Sequence, residues 1–154
     1  MPKEIATTSK LNSYAEELFV ELFCEIFGPE NSQHLYIQHP FVDIYGGNRF
    51  IDFALIHEGE KVAIEIDGET YHNPNRISRN KYYDDLLKQN SLVNSDWKVY
   101  RWVYSQLNEH PERVKDEMLT FFGEFPVFKG IEDYLPKQRG KIIELKDHQE
   151  YAIS

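Results

Sequence analysis

The chain has only one cysteine, Cys24, among 154 residues, which excludes an internal disulfide. A domain without that staple must be held by its own apolar core, and 154 residues are enough to build one. No apolar run approaches the roughly 20 residues that a bilayer span requires. Met1 to Lys10 is polar and carries no sign of a secretory signal. The expected setting is therefore the cytoplasm, with no membrane partner. Positive charge is scarce as well: 17 Lys and Arg stand against 26 Asp and Glu, a formal net charge of -9. Over the whole chain that balance argues against nucleic acid, because phosphate binding rewards cations. Internal repeats and low-complexity tracts are also missing.

What is present is the composition of a globular domain, 41% hydrophobic and 28% charged. The charge is unevenly spread. Between Thr70 and Arg101 the six bases Arg76, Arg79, Lys81, Lys88, Lys98 and Arg101 outnumber the three acids Asp84, Asp85 and Asp96. Such a stretch is either a basic face or an ordinary solvated helix face.

Apolar spacing predicts a helix over Ser13 to Phe27, with Ser13 and Glu16 as a capping box and Gly28-Pro29 as the stop. A short strand is expected at Leu35 to Gln38. Two alternating segments follow, Arg49 to Ile56 and Lys61 to Asp67, joined by the turn His57-Glu58-Gly59-Glu60. In the first, Ile51, Phe53 and Leu55 are expected on one face, with Phe50, Asp52, Ala54 and Ile56 on the other. A helix is predicted over Arg79 to Asn94, a strand over Lys98 to Val103, and a last helix from Pro111 towards Phe122. This order implies an α/β fold, a mixed β-sheet flanked by helices. The hairpin must be antiparallel, and the last strand can pair in parallel through the helical crossover.

The hairpin register carries the chemical inference. A turn centred between Glu58 and Gly59 sets Asp52 opposite Glu65, with Cβ atoms about 5 Å apart on one face. Opposed like charges destabilise a sheet, and a divalent cation compensates them. Asp67 adds a third acid on that face. Oxygen donors suit Mg²⁺ or Mn²⁺, which keep several waters, and the Ile66 carbonyl offers a third ligand beside Asp52 and Glu65. Three acids facing solvent on an exposed sheet is the competing interpretation.

Taken in order, Ser13-x-x-Glu16, Asp52, Glu65-Ile66-Asp67-Gly68, Tyr71-His72, the basic helix with Arg79, Lys81 and Lys88, and Trp97-Lys98-Val99-Tyr100-Arg101-Trp102 form a set that resembles the PD-(D/E)xK nuclease superfamily. The closer likeness is to its branch related to very-short-patch-repair endonucleases. The resemblance spans Ser13 to about Trp102. It implies a restriction-endonuclease-like core over residues 11–128 and metal-dependent hydrolysis of DNA phosphodiesters, with RNA left open as substrate. Asp52 and Glu65 would ligate the metal, Glu16 would approach it from the first helix, and His72 would serve as acid, base or phosphate contact. Arg76, Arg79, Lys81 and Arg101 would hold the nucleic-acid backbone. The lysine usual two residues after the Glu is replaced by Asp67, so another cation must serve. Lys88 is the first candidate and Lys81 the second; Lys61 lies about 13 Å along the strand from Glu65. Trp97 and Trp102 are expected in the core. Residues 129–154 read as a linker followed by a segment, Glu144 to Ile153, that resembles the opening of helicase motor domains. A fused helicase partner is the corresponding expectation. The alternative is a catalytically degenerate nuclease-fold module that binds nucleic acid or a protein partner.

Overall fold

The computed structural model describes residues 13–68 and 78–128. Helix α1 (Tyr14–Phe27) starts where Ser13 Oγ accepts the Glu16 N–H at 3.2 Å and ends at Gly28, whose φ of 88° favours glycine. A 3-10 helix (Pro29–His34) leads into strand β1 (Tyr36–Val42), longer than the sequence suggested because it runs on through Pro40. That proline is tolerated because β1 lies at the edge of the sheet.

Strands β2 (Asn48–His57) and β3 (Glu60–Asp67) form the expected antiparallel hairpin. Its turn places Glu58 and Gly59 at φ 48° and 90°, the double positive φ of a type I′ connection. Helix α2 (Arg79–Asn94) is capped by Ser78, whose Oγ accepts the Lys81 N–H at 3.0 Å. It crosses over to β4 (Lys98–Val103), which pairs in parallel with β3. Two further helices follow: α3 (Tyr104–Glu109) and α4 (Pro111–Phe122). The short α3 was not anticipated. The four-stranded mixed sheet has the order β1-β2-β3-β4.

The sheet lies between two helical layers. On one face α1, α3 and α4 bury the larger core, built around Phe19, Phe23, Phe53, Ile64, Trp102 and Phe122. On the other, α2 contributes Leu92 to a small cluster with Ile51, Ala54, Ala63 and Trp97. Trp97 and Trp102 are both core residues, as expected. No described helix is long and apolar enough to cross a membrane.

One sequence expectation is corrected. Phe53 and Leu55 enter the larger core, but Ile51 enters the small cluster with Ala54, so strict alternation fails at Asp52. The neighbouring strand breaks at the same level. Ile37 pairs with Phe53 and His39 with Ile51, while Gln38 between them adopts φ 53°, rare for a side chain with a Cβ. The β2–β3 ladder likewise begins at Phe53↔Ile64, one step short of Asp52 and Glu65.

Candidate metal centre

The break in the ladder is filled by the two acids themselves. The Asp52 N–H donates to Glu65 Oε2 at 3.2 Å, and the Ile66 N–H donates to Asp52 Oδ2 at 2.8 Å. Each carboxylate thus reaches across to the other strand's backbone and takes a hydrogen bond that a regular sheet would give to a carbonyl. The Gln38 side chain bonds Asp52 as well. The hairpin register drawn from the sequence is correct, and it brings the pair together through these crossed bonds rather than as a ladder pair. Glu65 is buried at 8% exposure, and Asp52 is half-buried.

Burial sets the protonation of the pair. Desolvation, then the Asp52 charge, pushes Glu65 up to about 7, with Lys88 opposing. Desolvation also raises Asp52, against the Ile66 amide and the Lys88 charge. Lys88, from the middle of α2, donates to Glu65 Oε1 at 2.7 Å, its side chain only 20% exposed. Of the cations considered for the missing lysine, it is the one at the carboxylates. Lys61 instead donates to the Ser95 carbonyl at 2.8 Å and lies over the Trp97 ring. Lys81 sits 3.8 Å from Asp85.

A cleft of about 30 Å³ adjoins the pair, lined in part by Glu65, Asp67, Asp85, Lys88, Gln89 and Arg101. That is room for water-sized groups. Arg101 spans it, donating to Asp67 Oδ2 at 3.0 Å and to Gln89 Oε1 at 2.8 Å. Asp85 is raised by burial, and its Oδ2 has no hydrogen-bond partner among the described residues.

A clamp that the sequence reading did not find orients α2. Arg49 donates to Asp43 Oδ2 at 2.6 Å and to both Asp84 carboxylate oxygens at 2.6 and 3.2 Å. Asp43 also caps the 43–47 turn, accepting the Tyr45 and Gly47 N–H groups, and Ser91 Oγ accepts the Ile44 N–H at 3.2 Å. The run Asp43-Ile44-Tyr45-Gly46-Gly47 is a recognisable Asx-turn signal. Nothing in the sequence announced that Arg49 would reach α2. Gln38 and Gln89 carried no signal either.

Of the residues assigned a role from the sequence, Asp52, Glu65, Ile66, Asp67, Lys88 and Arg101 come together at this end of the sheet. Ile66 donates its amide N–H to Asp52, a contact separate from the carbonyl expected as a metal ligand. Glu16 is buried in the first turn of α1 and does not line the cleft. Arg79 and Lys81 are exposed in the first turn of α2. His72, Tyr71 and Arg76 lie outside the described residues, as do the linker and the helicase-like segment.

The donors fit a hard divalent cation: two adjoining carboxylates, oxygen only, partly desolvated and mutually repelling. Among the described residues no three His, Cys, Asp or Glu side chains form a metal-holding group. A cation held here would complete its shell with water, backbone oxygen or substrate. Comparison of the chain with protein families, with curated proteins and with solved structures returned no match.

Proposed function

We propose that this chain is a metal-dependent nuclease domain that hydrolyses DNA phosphodiester bonds, with a restriction-endonuclease-like core. The observation that carries the reading is the crossed pair Asp52 and Glu65, two like charges held together and partly out of water by each other's backbone. Regular strand pairing avoids that arrangement, and it persists where a functional demand outweighs its cost. Mg²⁺ or Mn²⁺ on the pair would polarise the scissile phosphate and lower the pKa of an attacking water.

The chain's own residues supply the rest. Asp52 and Glu65 hold the charge that attracts the ion, and the Ile66 N–H fixes the orientation of Asp52. Lys88 stands where a developing negative charge needs a donor. Arg101, steadied by Asp67 and Gln89, is the phosphate clamp nearest the cleft. Arg79 and Lys81 would track the nucleic-acid backbone, with little reading of bases. A helicase-like unit following residue 128 belongs to the same proposal.

The test is cleavage of linear, circular and single-stranded DNA in Mg²⁺ or Mn²⁺, with Glu65→Ala as control. Metal-dependent cutting by the wild type, lost in the variant, is expected. Equal cutting by both would remove the catalytic assignment.

A second reading has its own support. Glu65 and Asp67 each already own a cation, Lys88 and Arg101. A module whose acids are neutralised internally would bind nucleic acid or a protein without cutting. Calorimetry with Mn²⁺ separates the two: this reading predicts negligible binding by wild type and by Asp52→Ala alike.

A further inference from the structure

We infer that Lys88 is a built-in stand-in for the divalent cation: its ammonium pairs with Glu65 when no ion is bound and leaves Glu65 when one arrives. The inference rests on the metal-binding reading of Asp52 and Glu65.

The geometry gives the reason. Lys88 Nζ is 2.7 Å from Glu65 Oε1, the oxygen left over after Glu65 Oε2 has accepted the Asp52 N–H. The ammonium also acts electrostatically on Asp52, so a single cation serves both acids. The other cation lining the cleft, Arg101, and the nearby Arg49 and Lys81 are already engaged. Arg101 is shared by Asp67 and Gln89, Arg49 by Asp43 and Asp84, and Lys81 faces Asp85. Lys88 thus offsets part of the pair's charge, against desolvation and mutual repulsion.

A divalent ion held by Asp52 and Glu65 would need the Glu65 carboxylate that Lys88 now engages through Oε1, and its charge would repel the ammonium, so the two would compete for Glu65. The exchange can proceed without moving the helix. Helix α2 is tied to the rest of the domain by Arg49 to Asp84, by the Ile44 N–H to Ser91 Oγ, and by Arg101 to Gln89. None of these ties involves Lys88. The lysine stem has the rotatable bonds to swing its head group, and Lys88 already lines the cleft that holds Arg101. Its freed charge joins Arg101 there, where a phosphate oxygen would be received. The device orders binding: the chain offers a second cation to an anionic substrate only after the ion is in place.

The test is Mn²⁺ affinity, measured by calorimetry or by electron paramagnetic resonance on the full chain without nucleic acid. Lys88→Met removes the charge and keeps the stem's bulk. It should bind Mn²⁺ at least about tenfold more tightly than wild type, by removing a competitor for the site. Lys88→Arg, which keeps the charge, should bind about as weakly as wild type. Affinity in Lys88→Met equal to or weaker than in wild type overturns the exchange and leaves the metal site standing. Absence of Mn²⁺ binding in all three proteins removes the metal site and this inference with it. Should Lys88→Met fail to fold, a Mg²⁺ titration of wild type with isotope-labelled lysine gives the answer. The Lys88 ε-methylene resonance must shift on saturation, and a resonance that stays put overturns the exchange.

Discussion

The clearest consequence of the buried pair is a penalty on stability that rises with pH and that one substitution should relieve. Glu65 is held at about 7 in the folded chain against an ordinary 4.5. Between these values the folded chain keeps a proton that the unfolded chain has released. Its stabilising effect is therefore complete below about pH 4.5 and is lost as pH rises through about 7. At roughly 1.4 kcal/mol per unit, the folded state gives up on the order of 3 kcal/mol by about pH 8 relative to acid. Asp52→Asn removes the second cause of the shift, keeps an oxygen for the Ile66 N–H, and leaves Glu65 and Lys88 as a one-to-one pair. Desolvation, the first cause, stays, so the gain is a share of the whole, about 1–2 kcal/mol at about pH 8. In a domain of this size that is a rise in melting temperature of roughly 4–8 °C. The measurement is urea and thermal unfolding with chelator present, on wild type and Asp52→Asn, from about pH 4 to about pH 8. The variant should be the more stable at the alkaline end, and the difference should fade towards acid. A variant less stable than wild type near pH 8, or a gain independent of pH, would refute the reasoning.

Other perturbations report on other parts of the structure. Saturating Mg²⁺ or Mn²⁺ should stabilise wild type by roughly 2.7 kcal/mol at about a hundredfold excess over Kd, and should leave Asp52→Ala unmoved, read as a shift in melting temperature. Arg49→Gln should loosen α2 while sparing the sheet. Amide exchange in α2 should quicken by about tenfold, with little change in β2 and β3. Gly59→Ala should cost about 1 kcal/mol by equilibrium unfolding: the φ of 90° resists a Cβ, while the space around it holds no atom within 4 Å. A much larger loss would place the cost in a contact rather than in backbone strain.

How much of this was legible in the sequence follows from where each determinant lies. The β2–β3 hairpin was readable because its turn and its alternation are local: Glu58-Gly59 fixes the connection, and Val62, Ile64 and Ile66 fix the face. From that register the meeting of Asp52 and Glu65 followed. Helix α1 was readable from Ser13 and Gly28, its own caps. The six-residue helix α3 was not, since it begins directly after β4 and its start is steadied by Gln106 Oε1 accepting the Val103 N–H at 2.9 Å. Lys88 could be nominated from its place on a helix facing the sheet. The Arg49 clamp could not, because it joins residues 35 positions apart that share no periodic pattern.

The most informative failure of the sequence reading coincides with the site. Alternation holds along β2 on either side of Asp52 and fails at it, and β1 turns to a positive φ at Gln38 directly opposite. A strand built only for the core would keep Ile51 beside Phe53. Here Ile51 packs with Leu92 of α2 instead, and Asp52 next to it accepts the Ile66 N–H. Helix α2 shows the same departure: Ser91 and Leu92 are its only buried residues among those described, and polar ties hold it over the acids. A helix held mainly by ion pairs and hydrogen bonds is a poor source of stability. It is a good means of setting one ammonium 2.7 Å from one carboxylate. Local rules thus give way at β2 and α2, the elements that carry Asp52 and Lys88 to Glu65 on the regular strand β3.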